Sequence, residues 1–334
     1  MRPFKILYWI FQLFVASSVT SVAFEGDFNH MNMGKSEFIS KSYKIRNNRI
    51  TVSWKDSGVI QGSKDLINWY GLGTGKRHLA IMNQNQVFYR VVKANPRPVM
   101  IYVPRDYDNS KTYPLIVNLH GFSGDWKHQN GYFPLQKYAD EQKFIFCVPN
   151  GEPDERNLRR WNAIDACCGT RHDLLDDSAY LRNVIKQAQD NFNIDNNRIY
   201  CMGFSNGGMM SYRMAIDHSD ILAGIVVVGG ISYKDKKYAP AHPVHVLHIH
   251  GTYEENFYGT KLGQIGFYFA GTPSVNENIA NWAEFNGCNK LTTKEAYLDL
   301  VGHLKGKETK VVNYHNEDNG CDVELWQVEK GIHV

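Results

Sequence analysis

From Pro98 onward, short apolar runs alternate with polar stretches of helical spacing. Val99–Val103, Leu115–Leu119, Phe144–Val148, Ile199–Gly203, Ile225–Val228 and Val244–Ile249 are continuously apolar or nearly so, which predicts strands buried on both faces. Residues 132–142, 176–192 and 206–216 predict helices, the second opened by Asp176 as its N-cap. Near the end, VELWQVE alternates as a strand should. Strands alternating with helices predict an α/β fold: a mostly parallel sheet with helices on both faces. Ligand sites in such sheets lie at the carboxyl ends of the strands.

The chain before residue 96 has a different pattern. Arg2 and Lys5 precede ten apolar residues, Ile6 to Val15, and Ser21-Val22-Ala23 supplies small residues for cleavage after Ala23. This is the layout of a secretory signal peptide over residues 1–23, too short in its apolar core to span a bilayer. Residues 24–95 hold short β-like runs (ITVSW, QVFYRVV) among Gly, Asn and Lys, and read either as a small β-rich module or as an extension of the main domain. The main domain is then 96–334.

A length of 334 residues accommodates one large domain and a small extra module. Net charge is +3, and no stretch is both strongly basic and aromatic, so nucleic acid is not an expected partner. A monomer without membrane attachment after signal cleavage is expected. Six cysteines follow the signal, in a compartment that permits disulfides. Their spacing fits no common zinc pattern, and neither a metal nor a cofactor is expected. Cys147 and Cys201 fall inside strand-like runs and read as buried thiols. A bond between the adjacent Cys167 and Cys168 would be strained. Cys288 and Cys321 flank a polar stretch and form the preferred disulfide pair.

The strongest chemical signal is Gly203-Phe204-Ser205-Asn206-Gly207, between the strand run RIYCM and the helix-like GGMMSYRMAI. A G-x-S-x-G sequence at a strand-to-helix turn is the nucleophile elbow of the α/β-hydrolase fold, where an acid and then a histidine follow the serine in the chain. Ser205 is the expected nucleophile. Tyr253-Glu254-Glu255 follows a strand end, with Glu254 the first candidate for the acid and Glu255 the second. Of the later histidines, His333 follows the last strand and is the expected base, whereas His303 and His315 precede that strand. His120 and His250 each end a strand before a glycine and read as structural. Backbone N–H groups of Asn206 and of Gly121 or Phe122 are the expected oxyanion donors.

YPLIVNLHGFSGD, WNAIDACCG, DDSAYLRNVI, NRIYCMGFSNGGMMSYRMA, HIHGT, NIANWAEFNGC and VELWQVEKGIH occur in this order. Over about residues 96–333 the chain resembles the extracellular esterases grouped as polyhydroxybutyrate depolymerase-like and feruloyl or acetylxylan esterase-like. The resemblance implies a secreted serine esterase acting on a polymer through an acyl-enzyme. It places the family's serine on Ser205, its acid on Glu254, its histidine on His333 and a pocket-lining or core tryptophan on Trp161. Glu254 stands where the family has Asp, and the family's WPG and closing helix do not follow His333, which implies a truncated chain or weakened activity. A peptidase of the same fold and an impaired polymer-binding homologue are the alternatives.

Overall fold

The computed structural model describes residues 97, 99–154, 156–164, 166–168, 176–236, 238–256, 272–288, 290–291, 296–302 and 304–333, and the backbone of strands between 41 and 93. The predicted signal peptide, 1–23, and His303 lie outside the described residues. The four early strands, β1 (Lys41–Arg46), β2 (Arg49–Ser63), β3 (Tyr70–Ile81) and β4 (Phe88–Lys93), pair antiparallel around β2.

The main sheet is built from β5 (Met100–Tyr102), β6 (Tyr113–Leu119), β7 (Ile145–Val148), β10 (Ile194–Phe204), β11 (Gly224–Val228) and β12 (His245–Gly251). A small hairpin, β8 (Glu152–Pro153) with β9 (Arg159–Arg160), stands apart from it. Four later strands complete the sheet: β13 (Lys290–Leu291), β14 (Ala296–Leu298), β15 (Thr309–His315) and β16 (Asp322–Val328). Its order is β13-β15-β16-β12-β11-β10-β6-β7-β5, with β14 on β15. From β7 to β16 every neighbouring pair is parallel, and the edge strands run antiparallel. The predicted α/β-hydrolase fold is therefore present in its main feature, a largely parallel sheet.

The continuous apolar runs have a direct cause. Successive side chains point to opposite faces, and both faces are covered. Leu115, Val117 and Leu119 join Cys147, Cys201, Val227 and Val246 in one core, against Leu181, Met209 and Trp282 of the helices Asp177–Asn191, Asn206–Asp217 and Val275–Phe285. Ile116, Phe146, Met202, Val226 and Leu247 join the other core, with Leu135 and Ala139 beside the helix Gln136–Gln142. Burying such a side chain on either face stabilises by about 1.5–3 kcal/mol.

One helix differs from expectation. Of the predicted 132–142, only Gln136–Gln142 is this helix; Phe133-Pro134 interrupts the backbone ladder, and the separate helix Trp126–Tyr132 before it was not predicted. Asp125 caps Trp126–Tyr132 by accepting from the N–H groups of Lys127 and His128.

Candidate active site

The site stands at the carboxyl ends of β10, β12 and β16. β10 ends at Phe204, and the chain turns at once into the helix Asn206–Asp217. Ser205 occupies the turn with φ 53° and ψ −118°, a strained conformation for a residue with a side chain. Its N–H donates to Val228 O at 2.8 Å, tying the turn to the adjacent strand. The turn also needs a missing side chain: a Cβ at Gly207 would lie 2.2 Å from Leu119 O.

Glu254 lies in the single turn Thr252–Asn256 that follows β12, with 5% of its surface exposed. Its Oε1 accepts the Gly251 N–H at 3.0 Å, and its Oε2 lies 2.6 Å from His333 Nδ1. The other imidazole nitrogen, Nε2, lies 2.9 Å from Ser205 Oγ. Three residues spread over 128 positions of sequence thus form one hydrogen-bonded row. With the carboxylate on Nδ1–H, Nε2 is left as the acceptor for the serine proton.

His333 follows β16 on a stapled segment. Gly331 O accepts from Tyr253 N at 2.9 Å, and the Lys330 N–H donates to Thr252 Oγ1 at 2.7 Å. The imidazole also packs against Phe204 in a tilted arrangement, centroid to centroid 4.9 Å, and Phe204 packs in the same way against Tyr132 at 5.0 Å. Tyr132, whose hydroxyl is pushed up to about 12 by partial burial and by the charge of Glu254, closes this side of the site.

Of the other candidates, His315 pairs with Asp322 at 2.8 Å, at the start of β16 and away from the end that leads to His333. His120 and His250 are buried, as expected of structural residues. His120 Nε2 accepts the Gly151 N–H at 2.9 Å and Nδ1 donates to Gly121 O at 2.8 Å. Burial pulls its pKa down to about 4, which keeps it neutral. Phe122 lies in the loop after β6, its ring near the Arg156 guanidinium, and Asn206 begins the helix after Ser205.

Of the two readings for Trp161, the structure has the core one: it is wholly buried, and its indole N–H donates to His120 O at 2.9 Å. One expectation needs correction. Cys288 and Cys321 are not bonded. Both are buried thiols, and Cys288 Sγ turns to the Cys321 carbonyl at 3.5 Å instead of to its sulfur. The bonded pair is Cys167–Cys168, beside the Asn206 carboxamide. Cys147 and Cys201 are buried thiols, and burial pushes Cys147 up to about 12.

Comparison with known proteins adds to this geometry. The phospholipase/carboxylesterase family matches residues 107–258, a span that takes in Ser205 and Glu254. An acetyl xylan esterase from Aspergillus awamori superposes with a TM-score of 0.52 at 15% identity, over 72% of this chain and 91% of that one. The chain has the α/β-hydrolase fold. It is similar to a bifunctional acetylxylan esterase/xylanase of Neocallimastix patriciarum, 26% identical over 74% of this chain and 30% of that protein. Feruloyl esterase B of Piromyces equi is 28% identical over 63% of this chain and 40% of its own length. This α/β-hydrolase therefore spans well under half the length of these curated relatives. Among its described residues no helix is long and apolar enough to cross a membrane.

Sequence reasoning missed Gly229, Phe204 and Tyr132. Gly229 has φ +58°, and a Cβ there would lie 2.8 Å from Glu254 Oε2 and 2.9 Å from His333 Nδ1. The available signal was the Gly-Gly pair directly after the VVV strand run.

Proposed function

We propose that this protein is a serine esterase that cleaves carboxylic esters through an acyl-enzyme. The observation that carries the reading is the continuous row Ser205 Oγ, His333 Nε2, His333 Nδ1, Glu254 Oε2, with separations of 2.9 and 2.6 Å. Ser205 Oγ attacks the ester carbonyl carbon while His333 Nε2 takes its proton. The carbonyl oxygen becomes an oxyanion, received by the backbone N–H groups of Asn206 and Phe122. The tetrahedral species collapses, the C–O bond to the alcohol breaks, and His333 returns the proton to that oxygen. Water then attacks the acyl-serine by the same route in reverse, with His333 as base, releasing the acid. Glu254 keeps its charge throughout and stabilises the imidazolium.

The substrate we infer is a polymer-borne ester met outside the cell, after export directed by residues 1–23. Feruloyl and acetyl esters of plant polysaccharide are supported by the names of the relatives, and polyhydroxyalkanoate by the family resemblance. An apolar rim favours a bulky acyl group over acetate. Phe122, Tyr132, Tyr253 and Ile332 are exposed large apolar side chains, and all four belong to segments that carry the site.

The test is hydrolysis of p-nitrophenyl acetate and methyl ferulate by the wild type and by Ser205→Ala. Loss of turnover in a folded variant is expected, since an elbow side chain can be shortened without opening a core cavity. Turnover near the wild-type level would reject Ser205 as nucleophile. With the leaving group held constant, methyl ferulate against methyl acetate, a preference for the ferulate ester in kcat/KM is expected from the rim.

A further inference from the structure

Trp161 contacts both segments that supply the proposed oxyanion donors. Its indole N–H donates to His120 O at 2.9 Å, one residue before Gly121-Phe122. Its main chain exchanges two hydrogen bonds with the Asn206 carboxamide: Trp161 N–H to Asn206 Oδ1 at 2.7 Å, and Asn206 Nδ2–H to Trp161 O at 3.0 Å. Both residues are wholly buried. We propose that Trp161 and the Asn206 side chain are positioning residues that fix the distance between the two N–H donors awaiting the ester oxygen. The inference rests on the acyl-enzyme reading and deepens it.

The donors come from independent parts of the chain, the loop after β6 and the helix after β10, and no single element sets their separation. β6 and β10 are paired in register as far as Leu119–Gly203; beyond that ladder the two segments approach as backbone at Gly207 against Leu119 and His120. Trp161 supplies directional bonds to both sides. The bracket is itself anchored. Asn162 N–H donates to Asp177 Oδ2 at 2.7 Å, and Asp177 Oδ1 pairs with Arg97 at 2.5 Å. The Arg97 guanidinium lies 3.7 Å from the centre of the Tyr180 ring and 5.7 Å from that of Trp161. His120, held at both ring nitrogens, braces the loop from the other direction.

A rigid bracket matters because oxyanion donors act by being in place before charge develops. Losing one such donor costs about 10²–10³ in kcat, and a displacement of about 1 Å can cost roughly 10². Trp161→Phe removes the indole donor together with the pyrrole part of the ring, so it also leaves a small cavity at a buried position. Asn206→Ala keeps the backbone N–H and removes only the carboxamide. Each is expected to lower kcat about tenfold, with KM changed less than about twofold, because the loss falls on the transition state.

The experiment measures kcat per reactive serine, counted by fluorophosphonate labelling, on p-nitrophenyl acetate. It also measures inhibition by a trifluoromethyl ketone, whose adduct with serine carries the oxyanion, and by the product alcohol, which has no carbonyl oxygen to place between the donors. The expected result is a parallel loss of kcat and ketone affinity with product affinity retained. A merely structural role would lower the labelled fraction or the melting temperature and leave kcat per labelled serine at the wild-type value, and that outcome in either variant overturns the proposal. Asn206→Ala carries the test alone if Trp161→Phe does not fold. Activity remaining in Ser205→Ala would instead overturn the acyl-enzyme reading itself, so the two failures are distinct.

Discussion

A methyl group at Gly229 would meet Glu254 and His333 at 2.8 and 2.9 Å, closer than real Cβ contacts come. The position also has φ +58°, where a side chain is strained. Gly229→Ala is therefore expected to push the acid–base pair out of line with Ser205 while leaving both cores intact. A loss of about 10² in kcat/KM is expected, following the cost of about 1 Å of misplacement. Circular dichroism should still report a folded protein. A folded Gly229→Ala variant with wild-type turnover would show that the pair has room to shift, and that this glycine does not shape the site. At this scale legibility was uneven. Ser205 could be read because its motif has a fixed spacing and a required strand–turn–helix context. Glu254 and His333 could be read from their places after strands. Gly229 could not, because its importance lies in which side chains face it. The partner chosen by Cys288, a backbone carbonyl instead of the Cys321 sulfur, depends on side-chain direction, which spacing does not contain.

Acid and base come from the ends of two neighbouring parallel strands. β12 and β16 are paired from Val246–Val323 to Gly251–Val328, so Glu254 and His333 begin from a common register. Beyond the paired residues, two hydrogen bonds extend the link: Tyr253 N–H to Gly331 O, and Lys330 N–H to Thr252 Oγ1. Thr252→Val removes the second while keeping the side chain's shape. A neutral hydrogen bond contributes only about 0.5–1.5 kcal/mol, so a small change in melting temperature is expected. The effect on kcat should be larger in proportion, a loss of about threefold to tenfold, because geometry in the transition state is more sensitive than folding. Equal kcat in the two proteins would mean that the paired strands alone hold the imidazole. The central strands were legible because burial on both faces leaves continuous apolar runs, whereas the partly exposed β15 was not read. The predicted helix over 132–142 starts too early because Phe133-Pro134 does not continue a helical ladder, and the helix that Asp125 caps was not read.

Across the whole molecule, three histidines among the described residues are buried in a neutral state. Burial holds His120 at about 4 and both His248 and His250 at about 3. The last two share a buried row. Asn278 Nδ2–H donates to Tyr212 OH at 2.8 Å, and that hydroxyl to His248 Nδ1 at 2.7 Å. His248 Nε2 then faces His250 Nδ1 at 3.3 Å, as donor to acceptor. A proton added to either ring would set donor against donor, or charge the row in a dry interior. In the unfolded chain the same rings titrate near 6.5. Their folded pKa values lie below their unfolded ones, so between pH 6.5 and about 4 the unfolded state binds more protons than the folded state. Stability is therefore full above about pH 6.5 and falls as the solution is acidified through that window. Each neutral histidine contributes a slope approaching about 1.4 kcal/mol per pH unit once the unfolded ring is charged. Most carboxylates titrate below about 4.5; burial raises Glu324 and lowers His218 and His245, which add their own contributions between pH 6.5 and about 5, so the comparison with His248→Asn isolates the row. Urea unfolding across that interval should show a falling midpoint, and His248→Asn should make the fall shallower by one proton's worth. An unchanged slope in His248→Asn would mean that the ring takes up its proton inside the folded protein, and that the row is not a neutral one.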